Sequence, residues 1–142
     1  MVLKYHPEPG TILMCAFDDL GLREPEMVKF RPALVISPRL KRRSDLLVVA
    51  PLSTTEPTEV MPYHSVLELN PPLPSPWANP TMWVKADMLY TVRFERLQLI
   101  RTRRDHTGRR KYLTRQISLG QLKDVRRCVL NGLGMQRLTN YL

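Results

Sequence analysis

FRPALVISP, residues 30–38, places an arginine and a proline directly before an apolar run that a second proline closes. Val35 and Ile36 are β-branched and suit the pleated surface of a strand, so 31–37 is expected to be a strand with Arg31 at its entrance. Proline cannot donate to a ladder, which puts Pro32 at an edge or a strand start. An arginine at that threshold is either a solvated gatekeeper or a cation held where something anionic is gripped.

Working outward, short apolar runs alternate with turn chemistry. GTILMCAFD (10–18) reads as a strand before it, and the polar stretch 19–29, with Gly21 and Pro25, as a loop. After it, RLKRRSD is a basic turn, LLVVAPL (46–52) a further strand and STTEPT its hydroxyl-rich end. YHSVLEL (63–69) alternates well enough for a fourth strand. NPPLPSPWANP, near 70–80, holds five prolines in eleven residues, so it is expected to be an ordered or extended loop outside any sheet. MWVKADML (82–89) reads as a strand running into a turn. Residues 91–103 and 109–116 flank RDHTG, and two paired basic strands are expected there, a hairpin near 100–117.

The period then changes. Leu122, Val125, Val129 and Leu133 recur at spacings of 3, 4 and 4, one apolar stripe of a helix. Ser118 and Gln121 form a capping box at its start, and Gly132 or Gly134 can end it. Many short strands followed by one C-terminal helix indicate a mainly β fold with α: a small, strongly curved antiparallel sheet or barrel with the helix packed on it. A length of 142 residues suits one domain, 1–142.

Composition narrows the function. The chain is 43% apolar and 25% charged, as soluble globular proteins are, and no apolar run approaches the roughly 18 residues of a membrane span. The opening MVLKYHPEPG lacks the apolar core of a signal peptide, so a cytoplasmic protein is expected, with Cys15 and Cys128 as plain thiols. Cys and His spacing suggests no metal site, and no cofactor is expected. The net charge of +9 is uneven: residues 1–69 carry 8 Lys and Arg against 9 Asp and Glu, and residues 70–142 carry 14 against 4. Eleven of those 14 are arginine, whose planar fork grips phosphate bidentately, so a polyanion such as nucleic acid is the favoured partner. A solvated basic face, or a docking surface for an acidic protein, is the alternative.

The ordered set of Pro-Gly-Thr-Ile (9–12), a glutamate five residues before Arg-Pro (Glu26), Arg-Pro-Ala-Leu-Val-Ile-Ser, Val-Ala-Pro-Leu-Ser-Thr (49–54) and Val-Lys-Ala-Asp-Met-Leu-Tyr-Thr-Val (84–92) resembles the MazF/PemK/Kid toxins of toxin–antitoxin pairs. The likeness covers roughly residues 5–100 and the closing helix. It implies an SH3-like small barrel, usually homodimeric, that cleaves single-stranded RNA at short sequences without a metal and is silenced by a cognate antitoxin. By the same resemblance Arg31 matches the arginine of the Arg-Pro motif, and Ser53, followed by Thr54, stands where the family has threonine. Lys85 and Asp87 match an Arg-x-Asp pair, and Glu26 an acidic loop residue. Ser53 lacks threonine's rotamer-fixing methyl, and Lys85 offers a point charge instead of a fork.

Metal-free cleavage by the ribose 2′-hydroxyl needs a base, an acid and cations for the phosphorane charge. Arg31 suits the phosphate clamp, Ser53 or Thr54 a hydroxyl donor, and Asp87 or Glu26 the base. Each also has a bland role: Arg31 a solvated flank, Ser53 and Thr54 turn formers, Asp87 a turn cap, and Glu26 a partner for Lys29 or Arg31. The basic hairpin offers Arg101, Arg103, Arg104, Arg109, Arg110 and Lys111 to RNA, with Tyr112 as a stacking platform. An acidic antitoxin tail suits the same surface. Two other functions fit the fold, a non-catalytic nucleic-acid-binding module and a CcdB-like poison of a protein target.

Overall fold

The computed structural model describes residues 3–142. Ten strands precede the helix: β1 Thr11–Ala16, β2 Phe30–Val35, β3 Leu46–Ser53, β4 His64–Glu68, β5 Thr81–Lys85, β6 Tyr90–Arg93, β7 Leu97–Gln98, β8 Ile100–Arg104, β9 Arg110–Leu113 and β10 Arg115–Gln116. The helix α1 spans Leu119–Gly132. Eight strands form an antiparallel sheet in the order β10-β1-β2-β3-β5-β4, with β7 also on β1 and β6 also on β3, and β8-β9 pair separately.

The expected β sheet with a C-terminal helix is what the chain forms, with one correction to the barrel. The hydrogen-bonded path runs from β10 to β4 without closing. One of its two edges is β4, and α1 lies along it. Gln121 Nε2 donates to the Glu68 carbonyl at 3.0 Å, Asn131 Nδ2 to the Pro62 carbonyl at 3.0 Å, and the Cys128 thiol to the His64 carbonyl at 3.6 Å. Side chains of the helix therefore satisfy carbonyls that a closing strand would have taken.

Strand β2 is central and buried on both faces, which explains its unbroken apolar run. Leu34 joins a cluster with Ile12, Leu52, Val84 and Val125; Ala33 and Val35 join a second, on the other face, with Leu13, Cys15, Val49 and Val92. The second cluster is enclosed because β3 divides, its first half pairing with β6 and its end with β5. Pro32 lies within β2, opposite Met14, rather than at a sheet edge. The ladder to β3 begins only at Ala33, so the missing N–H falls on the side where no bond is required.

Residues 91–103 do not form the single strand expected. A 3-10 turn at Phe94–Arg96 and a break at Leu99 divide them among β6, β7 and β8, since the chain leaves β3, crosses to β1 and then departs for the hairpin. Likewise Phe17–Asp19 turn away from β1 as a 3-10 turn, and a further 3-10 turn at Gln136–Tyr141 follows α1.

Both bonds of the Ser118/Gln121 capping box form, at 3.1 and 2.9 Å. At the far end Gly134, at φ +73°, takes the left-handed position, and Met135 N donates to the Leu130 carbonyl at 2.8 Å, a Schellman closure. Leu122 and Val125 are buried and Val129 packs partly, but Leu133 is 58% exposed because it is the C-cap, already turning off the stripe. Ser118→Ala is expected to cost about 1 kcal/mol, read as a lower urea midpoint at unchanged slope.

Candidate nucleic-acid interface and active site

Antiparallel register places the candidate side chains in a row. Ala33 faces Pro51 and Leu34 faces Ala50, and the β2–β3 ladder stops there; by the alternation of side chains Arg31, beyond that end on β2, and Ser53, at the end of β3, lie on the same face as Ala33 and Pro51. Ser53 faces Trp83 on β5, and Trp83 faces Val66 on β4. Directly opposed residues share a face, with Cβ atoms about 4.5–5.5 Å apart, so Ser53, Trp83 and Val66 form a row, with Arg31 on the same face of the neighbouring strand β2. Two residues along, Lys85 faces His64. Toward β1 this face is the second core, where Cys15 opposes Arg31. Toward β4 it is open, with Val66 47% exposed. Arg31 stands where core gives way to solvent.

Its environment is unusual for a solvated flank. Arg31 Nε is buried and has no hydrogen-bond partner. Burial pushes the guanidinium pKa down from its ordinary value, and none of the three ion pairs among the described residues includes it. A half-buried cation with an unused donor is what an incoming anion would complete. Glu24, Glu26, Lys29 and Arg31 line one cleft of about 530 Å³. Glu26 does not pair with Arg31; its Oε2 accepts from Arg23 N at 3.0 Å, and the side chain stays exposed.

Ser53 is buried, and its Oγ accepts from Thr55 N at 3.1 Å. The turn-forming role is real, yet the hydroxyl proton is left to donate elsewhere. Thr54 beside it is half-buried. Asp87 is exposed just past the end of β5, under the last turn of α1: a Cβ on Gly132 would meet Asp87 Cα at 3.2 Å. Glycine there lets the helix approach the Asp87 backbone.

His64 joins this group without having been anticipated. Its Nδ1 accepts from Met61 N at 3.0 Å, which fixes the neutral ring with its proton on Nε2. Burial first, and Lys85 second, lower its pKa, with Asp87 opposing. A histidine that binds its proton less readily when folded loses stability as pH falls below about 6.5, the unfolded value, until the folded pKa is passed. His64→Asn is expected to flatten that part of a curve of urea midpoint against pH between 4 and 8.

The hairpin is built on its turn. Asp105 Oδ1 accepts from Thr107 N, Thr107 Oγ1 and Arg109 N at 2.8, 2.6 and 3.0 Å, and Gly108 takes φ +82°. These bonds to the ionised carboxylate hold its pKa down. Arg101 faces Tyr112 and Arg104 faces Arg110 across the strands. Arg103, Arg104, Arg109, Arg110 and Lys111 are exposed, Tyr112 is half-buried, and none of the basic residues is in an ion pair. Arg101 lines a separate cleft of about 220 Å³ with Met14, Phe30, Ser75 and Trp77. Met14 and Phe30 lie on the face of the sheet opposite Arg31, since they alternate with Cys15 and Arg31 along β1 and β2. The hairpin therefore does not join the Arg31 row.

A family model described as PemK-like, MazF-like toxin of type II toxin-antitoxin system matches residues 8–130. The chain belongs to this toxin family. No curated protein matches it in sequence. Its fold is similar to MazF from Deinococcus radiodurans, with a TM-score of 0.63 and 20% identity, covering 93% of this chain and 100% of that one. It is similar also to an endoribonuclease from a mycobacterial species in complex with its cognate antitoxin, at 0.61 and 21%, covering 92% and 97%. At such identities the likeness concerns the fold.

In this PemK/MazF-family chain the structure brings together Arg31, Ser53 and Lys85 on one face, with Asp87 at its end and Glu26 across the Arg31 cleft. His64 and Trp83 were missed. Each sits in a stretch that reads only as an alternating strand, and nothing in YHSVLEL or MWVK says which residues they will face. No helix among the described residues is long and apolar enough to cross a membrane.

Proposed function

We propose that this chain is the toxin of a toxin–antitoxin pair and a metal-independent, sequence-specific endoribonuclease acting on single-stranded RNA in the cytoplasm. The observation that carries the reading is the buried, unpartnered Nε of Arg31, on the same face of the sheet as Ser53 of the neighbouring strand. A guanidinium and a hydroxyl from adjacent strands on one face are the kinds of donor that a phosphorane needs. In the reaction the ribose 2′-oxygen bonds to the adjacent phosphorus and the bond to the 5′-oxygen breaks. A 2′,3′-cyclic phosphate and a free 5′-hydroxyl result. Glu26, which shares the cleft with Arg31, or Asp87 beyond Lys85 takes the 2′-proton; the Lys85 ammonium gives a proton to the departing 5′-oxygen, and Arg31 offsets the charge on the phosphorane. Thr54 extends the hydroxyl edge.

Away from this centre, the basic hairpin, whose Arg101 opens onto the opposite face of the sheet, binds RNA that runs on past the cleaved site, and both it and the Pro-rich loop are additions to the core of a single domain. The partners proposed are a cognate antitoxin, supported by the antitoxin-bound mycobacterial structure and by a MazE–MazF complex of the same fold from Deinococcus radiodurans, and a second copy of the chain as a homodimer.

The test is incubation of purified protein with a long single-stranded RNA in excess EDTA, with the product ends mapped. Cuts at a recurring short sequence that leave cyclic phosphate are expected. Intact RNA that still binds tightly at low salt would replace this reading with a non-catalytic binding module. Intact RNA without binding would point to a protein target.

A further inference from the structure

The reaction just described uses Arg31, Ser53 and the charged groups, and leaves Trp83 without a task. Trp83 is only half-buried, on β5, and it packs into neither hydrophobic cluster. A tryptophan ring is among the largest sources of burial available to a core, so leaving one at the surface forgoes stability. Its neighbours are specific. Ser53 opposes it on one side and Val66, 47% exposed, on the other. Lys85 follows two residues along the same strand face, and Arg31 lies one strand beyond Ser53. Across the sheet the sequence of chemistries is cation, hydroxyl, aromatic ring, aliphatic side chain.

That order matches a nucleotide laid across the strands. With a strand-to-strand spacing of about 4.8 Å, a phosphate held between Arg31 and Ser53 leaves its attached base over the next strand, where the indole stands. Bases stack on aromatic side chains whatever their identity, and an aliphatic neighbour completes an apolar floor. We infer that Trp83, with Val66 beside it, is a stacking subsite for the nucleobase next to the cleaved phosphodiester, a positioning role that rests on the ribonuclease reading of the site. The order of cation, hydroxyl and half-exposed ring favours RNA over a second copy of the chain as occupant: among the described residues neither Arg31 nor Lys85 is in an ion pair, and a phosphate supplies the missing anion beside the ring.

Trp77 and Trp83 are the two tryptophans of the chain, so Trp77→Phe makes Trp83 the sole indole reporter. Titration with a 2′-O-methyl RNA oligonucleotide, whose blocked 2′-oxygen cannot attack, is expected to quench its emission; an abasic oligonucleotide of equal length quenches far less. In cleavage assays Trp83→Ala raises KM by about 5- to 150-fold, the range expected for one lost base stack, with a much smaller change in kcat. Trp83→Phe recovers most of the loss, and a thermal melt of each variant checks folding. Equal quenching by the abasic strand overturns the proposal, as does binding seen by anisotropy of a labelled strand without any change in emission. Emission that depends on protein concentration without RNA, together with a monomeric Trp83→Ala in sedimentation, would overturn it in favour of an interface between copies. The quenching needs no turnover: quenching without cleavage would sink the nuclease reading alone, whereas cleavage with KM unchanged in Trp83→Ala would sink the subsite alone.

Discussion

Arg31→Ala is expected to lower kcat for RNA cleavage by about 100- to 1,000-fold, the usual loss when one fixed donor to a developing oxyanion is removed. The same variant should melt close to the wild-type temperature. Two opposing effects lead there. Losing the half-buried aliphatic stem costs burial, but losing a buried N–H that has no partner removes a desolvation penalty of about 1–3 kcal/mol. No ion pair is lost with it. Arg31→Met, which keeps most of the stem and drops the donors, should be as stable as wild type or more so, and equally inactive. Arg31→Lys keeps the charge without the fork and should recover only a small part of the activity. Single-turnover cleavage beside a thermal melt separates the two readouts. A variant that cuts at the wild-type rate would return Arg31 to the role of a solvated flank, and one that fails to fold would show that the guanidinium has a structural partner.

The second large effect concerns the hairpin. Replacing Arg103, Arg104, Arg109 and Arg110 together by glutamine is expected to weaken binding of single-stranded RNA and to flatten its salt dependence. Each phosphate contact on a single strand contributes about 0.7 to the slope of log K against log salt, so losing all four reduces its magnitude by nearly 3. The hairpin backbone should survive, because its turn is held by Asp105, Thr107 and Gly108 rather than by these side chains. Arg104 is the exception, since it also donates to the Gly108 carbonyl at 2.9 Å, and a three-fold variant that retains it controls for that bond. The check is affinity for a 2′-O-methyl RNA at four or more salt concentrations. An unchanged slope would assign the basic surface to something other than RNA, an acidic antitoxin segment being the alternative.

Local signals carried much of the fold. Alternation and β-branched runs located β1 to β5, the Ser118/Gln121 box and Gly134 bounded α1, and Asp105 to Gly108 marked the hairpin, because each depends on residues within a few positions of one another. Readings failed where a distant contact set the outcome. Residues 91–103 look like one strand, but β3 and β1 draw their two ends to different partners. The barrel stays open because side chains of α1, more than fifty residues downstream of β4, take the carbonyls of its free edge.

The candidate site divides in the same way. By itself the sequence determined the cationic second half, the Arg-Pro strand and the family resemblance, and through that resemblance offered Arg31, Ser53, Asp87, Lys85 and Glu26 as candidates, since these rest on residue type and order. Only the tertiary structure decided that Arg31 and Ser53 share a face, that Trp83 and His64 lie on it too, and that Arg101 belongs to a cleft on the other side of the sheet. Strand register fixes all three, and register depends on how β2, β3, β5 and β4 align across the sheet. Shifting any one of them by a single residue would turn its side chains to the opposite face while leaving its own pattern of amino acids untouched.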